Sequence, residues 1–192
     1  MIKIGITGGI GSGKSIVATL LGLSGVPVYI ADEESKRLTD NSPVIKEQLI
    51  SLFGGDLYAG GKLDKRLLAS HIFNNPGALK QVNAIIHPEV NRHFHEWVAR
   101  QDTPLCAIES AILFESGFDK VVDIRLMVYA PLELRIERAS RRDTVAREEI
   151  ERRIQNQLPD EEKKDRSDFV VYNDGKQALI PQVGRIIGEL IR

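Results

Sequence analysis

Residues 6–15 read ITGGIGSGKS, with four glycines and two serines in ten positions and a lysine next to last. A β-branched apolar run, Ile2 to Thr7, leads into them, and the spacing from Lys14 to Leu23 is that of a helix closed by Gly25. A buried strand that turns through glycines straight into a helix restricts the fold to α/β architectures. Within the turn, GGIGSGKS fits the pattern G-x-x-x-x-G-K-[ST], with Gly8 and Gly13 as its fixed glycines. Wrapping a polyphosphate in backbone N–H groups needs conformations that glycine enters without steric cost. The first amides of the following helix face the same anion. Lys14 is spaced to reach β- and γ-phosphates, and the Ser15 hydroxyl to hold a Mg²⁺ ion that bridges them. A glycine-rich turn without a ligand would not require this strand-before, helix-after setting. Gly9, Ile10, Gly11, Ser12, Gly13, Lys14, Ser15 and Ile16 are therefore the predicted nucleotide-binding residues, with Ser15 as the metal ligand.

The rest of the chain repeats the alternation. Val26 to Ile30, Leu105 to Glu109, Ile124 to Tyr129 and Phe169 to Tyr172 read as four more short strands, and helical patterns separate them. This predicts a three-layer fold with a five-stranded parallel sheet covered on both faces, and ligands at the carboxyl ends of the strands. From about Asn41 to Gln101 the pattern is polar and helical, and no convincing buried strand occurs. It reads as a helical insertion within a single domain spanning 1–192. Residues 141–166 are dense in charge, with Glu148/Arg152 and Glu149/Arg153 spaced as i,i+4 pairs. His87 precedes Pro88 and is expected at a helix entry.

Composition excludes other classes. The 192 residues are 42% apolar and 28% charged, which fits a globular chain, and a net charge of −1 gives no support to a general nucleic-acid binder. The longest apolar stretch, ATLLGLSGVPVYIA, is cut by Gly22, Ser24, Gly25 and Pro27, so no membrane span is expected. MIKIGIT is too short for a secretory apolar region. The single cysteine, Cys106, lies in an apolar run, reads as a buried inert thiol, and is compatible with a reducing cytoplasm. His93 and His95 are two apart on a helix and point to different faces, which argues against a shared zinc.

The phosphate loop does not by itself name a reaction. The chain has no N-K-x-D guanine reader and no D-x-x-G element, which counts against a GTPase switch or regulator. Glu109, after LCAI, is a weak candidate for the strand-end acid of a motor, and the length leaves little room for a coupling domain. A small-molecule kinase needs a carboxylate for the acceptor hydroxyl, a pocket-forming insertion, and arginines to neutralise the migrating phosphoryl. Asp32, just past the second strand, is the candidate carboxylate; an aspartate there also suits a helix N-cap. Arg138, Arg141, Arg142, Arg147, Arg152 and Arg153 supply the cations. Most are expected on a solvated face, with one or two in the active site.

Several segments together resemble the dephospho-coenzyme A kinases. These are TGGIGSGKS, YIADEESKR, the long stretch GGKLDKRLLASHIFNNPGALKQVNAIIHPEV, AILFESGF, and RASRRD followed by RRIQNQLPDEEKKDRSDFVVYNDG. The resemblance runs over nearly the whole chain. It implies ATP-dependent phosphorylation of the ribose 3′-hydroxyl of dephospho-CoA, giving CoA and ADP, the last step of coenzyme A synthesis. It also implies that both partners are small molecules, with no obligate protein partner. In the resemblance Asp32 is the general base, Lys14 acts on the phosphates, and Arg138 and Arg142 lead into a helical lid at about 141–166. Lys36, Asp64, Lys65 and His87 fall at positions of the acceptor-binding lobe, about 41–101, and Asn173 near the nucleotide base. The alternative kept beside it is another P-loop nucleoside or nucleotide kinase. The chain departs from the family at Ile30, where an aspartate is usual, at Lys36 for arginine, at Ala111 for proline and at Ile16 for threonine. Lys36 keeps the charge but not the planar fork.

Overall fold

The computed structural model describes residues 1–192 as two compact units, one of Met1–Ile30 with Gln101–Arg192 and one of Ala31–Arg100. The first unit holds five strands: β1 (Ile2–Thr7), β2 (Val28–Ile30), β3 (Leu105–Glu109), β4 (Ile124–Tyr129) and β5 (Phe169–Tyr172). They form one parallel sheet in the order β2-β3-β1-β4-β5. β1 is central because every residue of its second half is buried, as the apolar run requires. The second strand begins at Val28 rather than Val26, because Pro27 has no N–H for the ladder and offers only its carbonyl, which accepts from Ala107 N at 2.8 Å.

Helices α1 (Lys14–Leu23) and α9 (Leu179–Leu190) cover one face. Val17, Ala18 and Leu21 of α1 and Val183 and Ile186 of α9 pack on Ile4, Ile6, Leu105, Leu126, Val128 and Val171. The opposite face receives residues 110–123. Gly5 of β1 has no side chain because Leu113 and Val122 lie where its Cβ would stand, within about 3 Å. Three further helices follow β4 and precede β5: α6 (Leu132–Asp143), α7 (Arg147–Gln155) and α8 (Asp160–Asp165). Cys106 is fully buried in β3, and burial pushes its thiol up from the ordinary value, as an inert core thiol requires.

The second unit is helical: α2 (Ala31–Asn41), α3 (Pro43–Phe53), α4 (Lys65–Ile72) and α5 (Pro76–Val98). Its punctuation is local and chemical. Ser42, Asp64 and Asn75 each accept a backbone N–H at a helix start, and Pro43 and Pro76 occupy first-turn positions. The expectation for His87 is corrected here. It lies in the middle of α5, not at an entry, and Pro88 is inside the helix. The N-terminal role is already filled by Asn75 and Pro76. Buried Val82, Val90 and Phe94 hold α5 together across the proline, so packing overrides its local cost. No helix of the chain is long and apolar enough to cross a membrane.

A buried ion pair helps to secure α8. Lys163 is fully buried, and its Nζ donates to Ala111 O at 2.9 Å and to Glu115 Oε1 at 3.0 Å. The same Glu115 oxygen accepts from Leu158 N at 2.9 Å. The pair is asymmetric, because the Glu115 side chain keeps 21% of its exposure. Glu115→Ala strands a buried ammonium and should cost about 3 kcal/mol. Lys163→Met leaves a carboxylate that water reaches and should cost about 1 kcal/mol. Urea unfolding of the two variants checks that order; equal losses would contradict it.

Candidate active site

The glycine loop is held open by what lies behind it. Gly8, Gly11 and Gly13 all have positive φ, and Gly13 stands at the start of α1 with φ 92°. Space is as restrictive as backbone angle. A Cβ on Gly11 would sit 2.8 Å from the carbonyl carbon of Arg135, and one on Gly9 would sit 2.9 Å from Nη2 of the same residue. A Cβ on Gly8 would meet the Val128 backbone, and one on Gly13 the Asn173 amide. The loop is therefore pressed against β4, α6 and the end of β5.

This contact leaves the other side of the loop as a cradle. Ser12 N bonds Gly9 O at 3.1 Å, while the amides of Gly11, Gly13 and Ser15 meet no protein acceptor. Lys14 reaches back so that Nζ lies 3.5 Å from Gly9 O. Two hydroxyls in the region, Thr7 Oγ1 and Ser12 Oγ, are buried without a hydrogen-bond partner. Ser15 is exposed in the first turn of α1, and Glu109 ends β3 in register with Ile6 of β1. Hydroxyl and carboxylate oxygens are the donors that a hard divalent cation takes together with phosphates, so the set fits Mg²⁺. Ile16 is 51% exposed beside the loop.

Asn173 ties three elements together. Its Nδ2 donates to Ser12 O at 2.8 Å, its N–H donates to Tyr129 O, and its own carbonyl accepts from Arg138 Nη1 at 2.9 Å. The structure thus brings together Lys14, Ser12, Asn173 and Arg138. It does not bring Arg142 into this group: Arg142 is a largely exposed side chain forked onto Asp143 at 2.7 and 3.2 Å. That hydrogen bond holds the Asp143 carboxyl below its usual range, with burial opposing it and the Arg142 and Arg153 charges adding to it.

The charged segment differs in detail from its sequence pattern. Glu149 does pair with Arg153, but Arg152 meets no acceptor, and the other i,i+4 pair within α7 is Arg147–Glu151. Arg147 also forks onto Glu133 of α6 at 2.8 Å through each nitrogen. Arg141 pairs with Glu137 on the surface. A small core of Ile136, Ala139 and Ile150 joins α6 to α7, and Ile10 of the glycine loop packs against it.

In the helical unit the candidates have separate settings. Asp32 is exposed in the first turn of α2, two residues beyond the end of β2, and Lys36 is exposed on the same helix. Asp64 caps α4 by accepting from Arg66 N and Leu67 N at 2.9 and 3.0 Å, and Lys65 is the first residue of that helix. His87 is half-buried, and burial lowers its pKa from the usual imidazole value. Tyr58 donates to Thr39 O at 2.8 Å, and burial followed by the Asp40 charge pushes its phenol up to about 12.

Sequence reasoning overlooked Arg135, Gln157 and Asp160. Gln157 Oε1 accepts from Ile10 N at 3.0 Å, and Arg135 is buried in an ion pair with Asp160. A signal for Arg135 was present. Arg135, Ile136 and Ala139 share the buried stripe of α6, so this arginine stands where an apolar residue is expected.

A glycine loop between β1 and α1, on a parallel sheet with a charged helical segment between β4 and β5, defines a P-loop kinase fold. The dephospho-CoA kinase family model matches residues 2–178. A dephospho-CoA kinase of Bacteroides fragilis is 54% identical over 190 residues, covering 98% of this chain and 93% of the relative. One from Thermus thermophilus is 42% identical, covering 91% and 84%. Among solved structures, a Thermus thermophilus protein superposes with TM-score 0.84 at 39% identity, covering 99% and 96%. The dephospho-CoA kinase of Campylobacter jejuni gives 0.71 at 25%, covering 98% and 96%. The chain belongs to the dephospho-CoA kinase family.

Gly11→Ala should abolish nucleotide binding, because its obstacle is backbone and its φ is 77°. The strained conformation adds about 1–2 kcal/mol to the clash. Gly9→Ala meets the end of a side chain, which can yield, and should retain weakened binding. Titration calorimetry with ADP ranks the two; tighter binding by Gly11→Ala than by Gly9→Ala would refute the packing argument.

Proposed function

We propose that this chain transfers the γ-phosphoryl group of ATP to the ribose 3′-hydroxyl of dephospho-CoA, releasing CoA and ADP. The observation that carries the reading is the loop itself. Its outward amides, Lys14 and the exposed Ser15 hydroxyl converge at the carboxyl end of β1, in a chain of this family. The phosphates lie against the amides of Gly11, Gly13 and Ser15, and Lys14 neutralises the β- and γ-oxygens. Ser15 would hold Mg²⁺, with Glu109 at the end of β3 as the candidate carboxylate. When bound, the ion neutralises and orients phosphate oxygens. Arg138, already bonded to the Asn173 carbonyl, lies beside the nucleotide base site, where Asn173 fixes the loop. Arg142 reaches the migrating phosphoryl by exchanging its contact with Asp143.

Asp32 acts as general base, orienting the 3′-hydroxyl and accepting its proton as the oxygen attacks phosphorus in line. Asp32 is exposed and sits in the first turn of α2. The unit Ala31–Arg100 is the acceptor lobe, with Lys36, Lys65 and His87 as contacts to the acceptor and Asp64 holding the start of α4. Helices α7 and α8 form the lid, which excludes water as a competing acceptor. The enzyme is placed in the cytoplasm, where its buried free thiol persists and its two small-molecule substrates are available, with no obligate protein partner.

ADP release is followed with ATP plus dephospho-CoA, then with nucleoside monophosphates, then with no acceptor. Turnover with dephospho-CoA alone is expected; equal turnover with a nucleoside monophosphate would replace the reading by a nucleotide kinase. Asp32→Asn should bind ATP as the parent does and lose about 100-fold or more in turnover. Lys14→Ala should lose turnover by about 100-fold or more, with weaker ATP binding besides. Either variant at full rate removes that residue from its role.

A further inference from the structure

The most buried cation of the nucleotide-binding unit after Lys163 lies behind the phosphate loop, on the side away from the free amides. Arg135, in the first turn of α6, is 2% exposed and pairs through Nη1 with Asp160, the first residue of α8. Its Nε is buried without a partner. Its guanidinium fills the space where a Gly9 Cβ would be, and its carbonyl the space of a Gly11 Cβ. Ile10, between those glycines, gives its N–H to Gln157 and packs on the core of α6 and α7.

Burying a guanidinium costs several kcal/mol, and pairing through one nitrogen recovers only part of that. A methionine would fill the same stripe of α6 at lower cost. What the arginine adds is a permanent positive charge behind a row of amides, in a region where low dielectric strengthens its field. Asp160 offsets only part of that field, because its side chain keeps 21% exposure and water reaches it.

We propose that Arg135 is a positioning residue of the nucleotide site: fixed by Asp160, it sets the shape of the phosphate loop from behind and strengthens its hold on polyphosphate. This rests on the reading of the loop as an ATP site. The test therefore measures ATP binding separately from transfer.

Arg135→Met, Arg135→Lys and Asp160→Asn are compared with the parent by calorimetry with MgATP, by steady-state kinetics in both substrates, and by thermal unfolding. Arg135→Met should weaken ATP binding and raise its KM by about tenfold or more, and leave the KM for dephospho-CoA within about twofold. Arg135→Lys keeps the charge and should stay within about threefold of the parent in ATP affinity. Asp160→Asn keeps the cation and should also hold ATP affinity within about threefold while lowering the unfolding temperature. A purely structural pair would instead make Arg135→Met and Asp160→Asn alike, with both KM values moving together, and that result overturns the proposal. So does Arg135→Met binding ATP within about twofold of the parent. If Arg135→Met does not fold, a tenfold loss of ATP affinity in Arg135→Lys or Asp160→Asn overturns it instead. A parent protein that binds no ATP defeats the ATP site itself, whereas equal binding by parent and Arg135→Met defeats only the role of Arg135.

Discussion

The rest of the structure depends on how closely the backbone of the phosphate loop approaches α6 and the end of β5. A row of outward amides is stable only if the inward side is packed, because buried polar backbone otherwise collapses onto its own carbonyls. Here the inward side meets Val128, Arg135 and Asn173, with no room for a single extra carbon at Gly8, Gly9, Gly11 or Gly13. The sheet order follows the same logic. β1 is flanked by β3 and β4, so the loop leaves a fully hydrogen-bonded strand and turns toward the helix that follows β4. Asn173, at the end of β5, closes the wall by bonding the Ser12 carbonyl.

The charged segment between β4 and β5 has the opposite character. Its apolar core amounts to Ile136, Ala139 and Ile150 with three partly buried neighbours. Most of its ion pairs, such as Arg147–Glu133 and Arg153–Glu149, lie on the surface, where water screens them. Around α7, whose one buried residue is Ile150, few buried apolar contacts and many solvated pairs describe low local stability.

How much of this was legible in the sequence varied with the range of the interaction. The phosphate loop, α1 and all five strands follow from residues close together in the chain, so Gly8–Ser15 and the apolar runs reveal them. Helix caps at Ser42, Asp64 and Asn75 are likewise local. His87 was misplaced because a proline rule was applied without the burial of Val82, Val90 and Phe94, which carries α5 through Pro88. Glu148 and Arg152 have the right spacing and form no pair, since exposed charges are solvated by water as readily as by each other. The Arg135–Asp160 and Lys163–Ala111 contacts span 25 and 52 residues, and no local pattern pairs them. Periodicity did place Arg135 on a buried stripe, and a charged residue there is the readable trace of a long-range partner.

Those two long-range contacts explain a helix that propensity alone does not. α8 has six residues, DEEKKD, too few to persist in isolation. Asp160 and Lys163 are three apart and so lie on one face, the first bonded to α6 and the second to the segment after β3. Directional polar bonds at both ends fix the rotation of this short helix in a way that a methyl contact would not. That rotation sets the entry of the chain just before it, where Gln157 accepts the Ile10 amide at 3.0 Å. A single loop amide is thus held by a glutamine whose own place depends on two buried cations, which joins the order of the charged segment to the order of the phosphate loop.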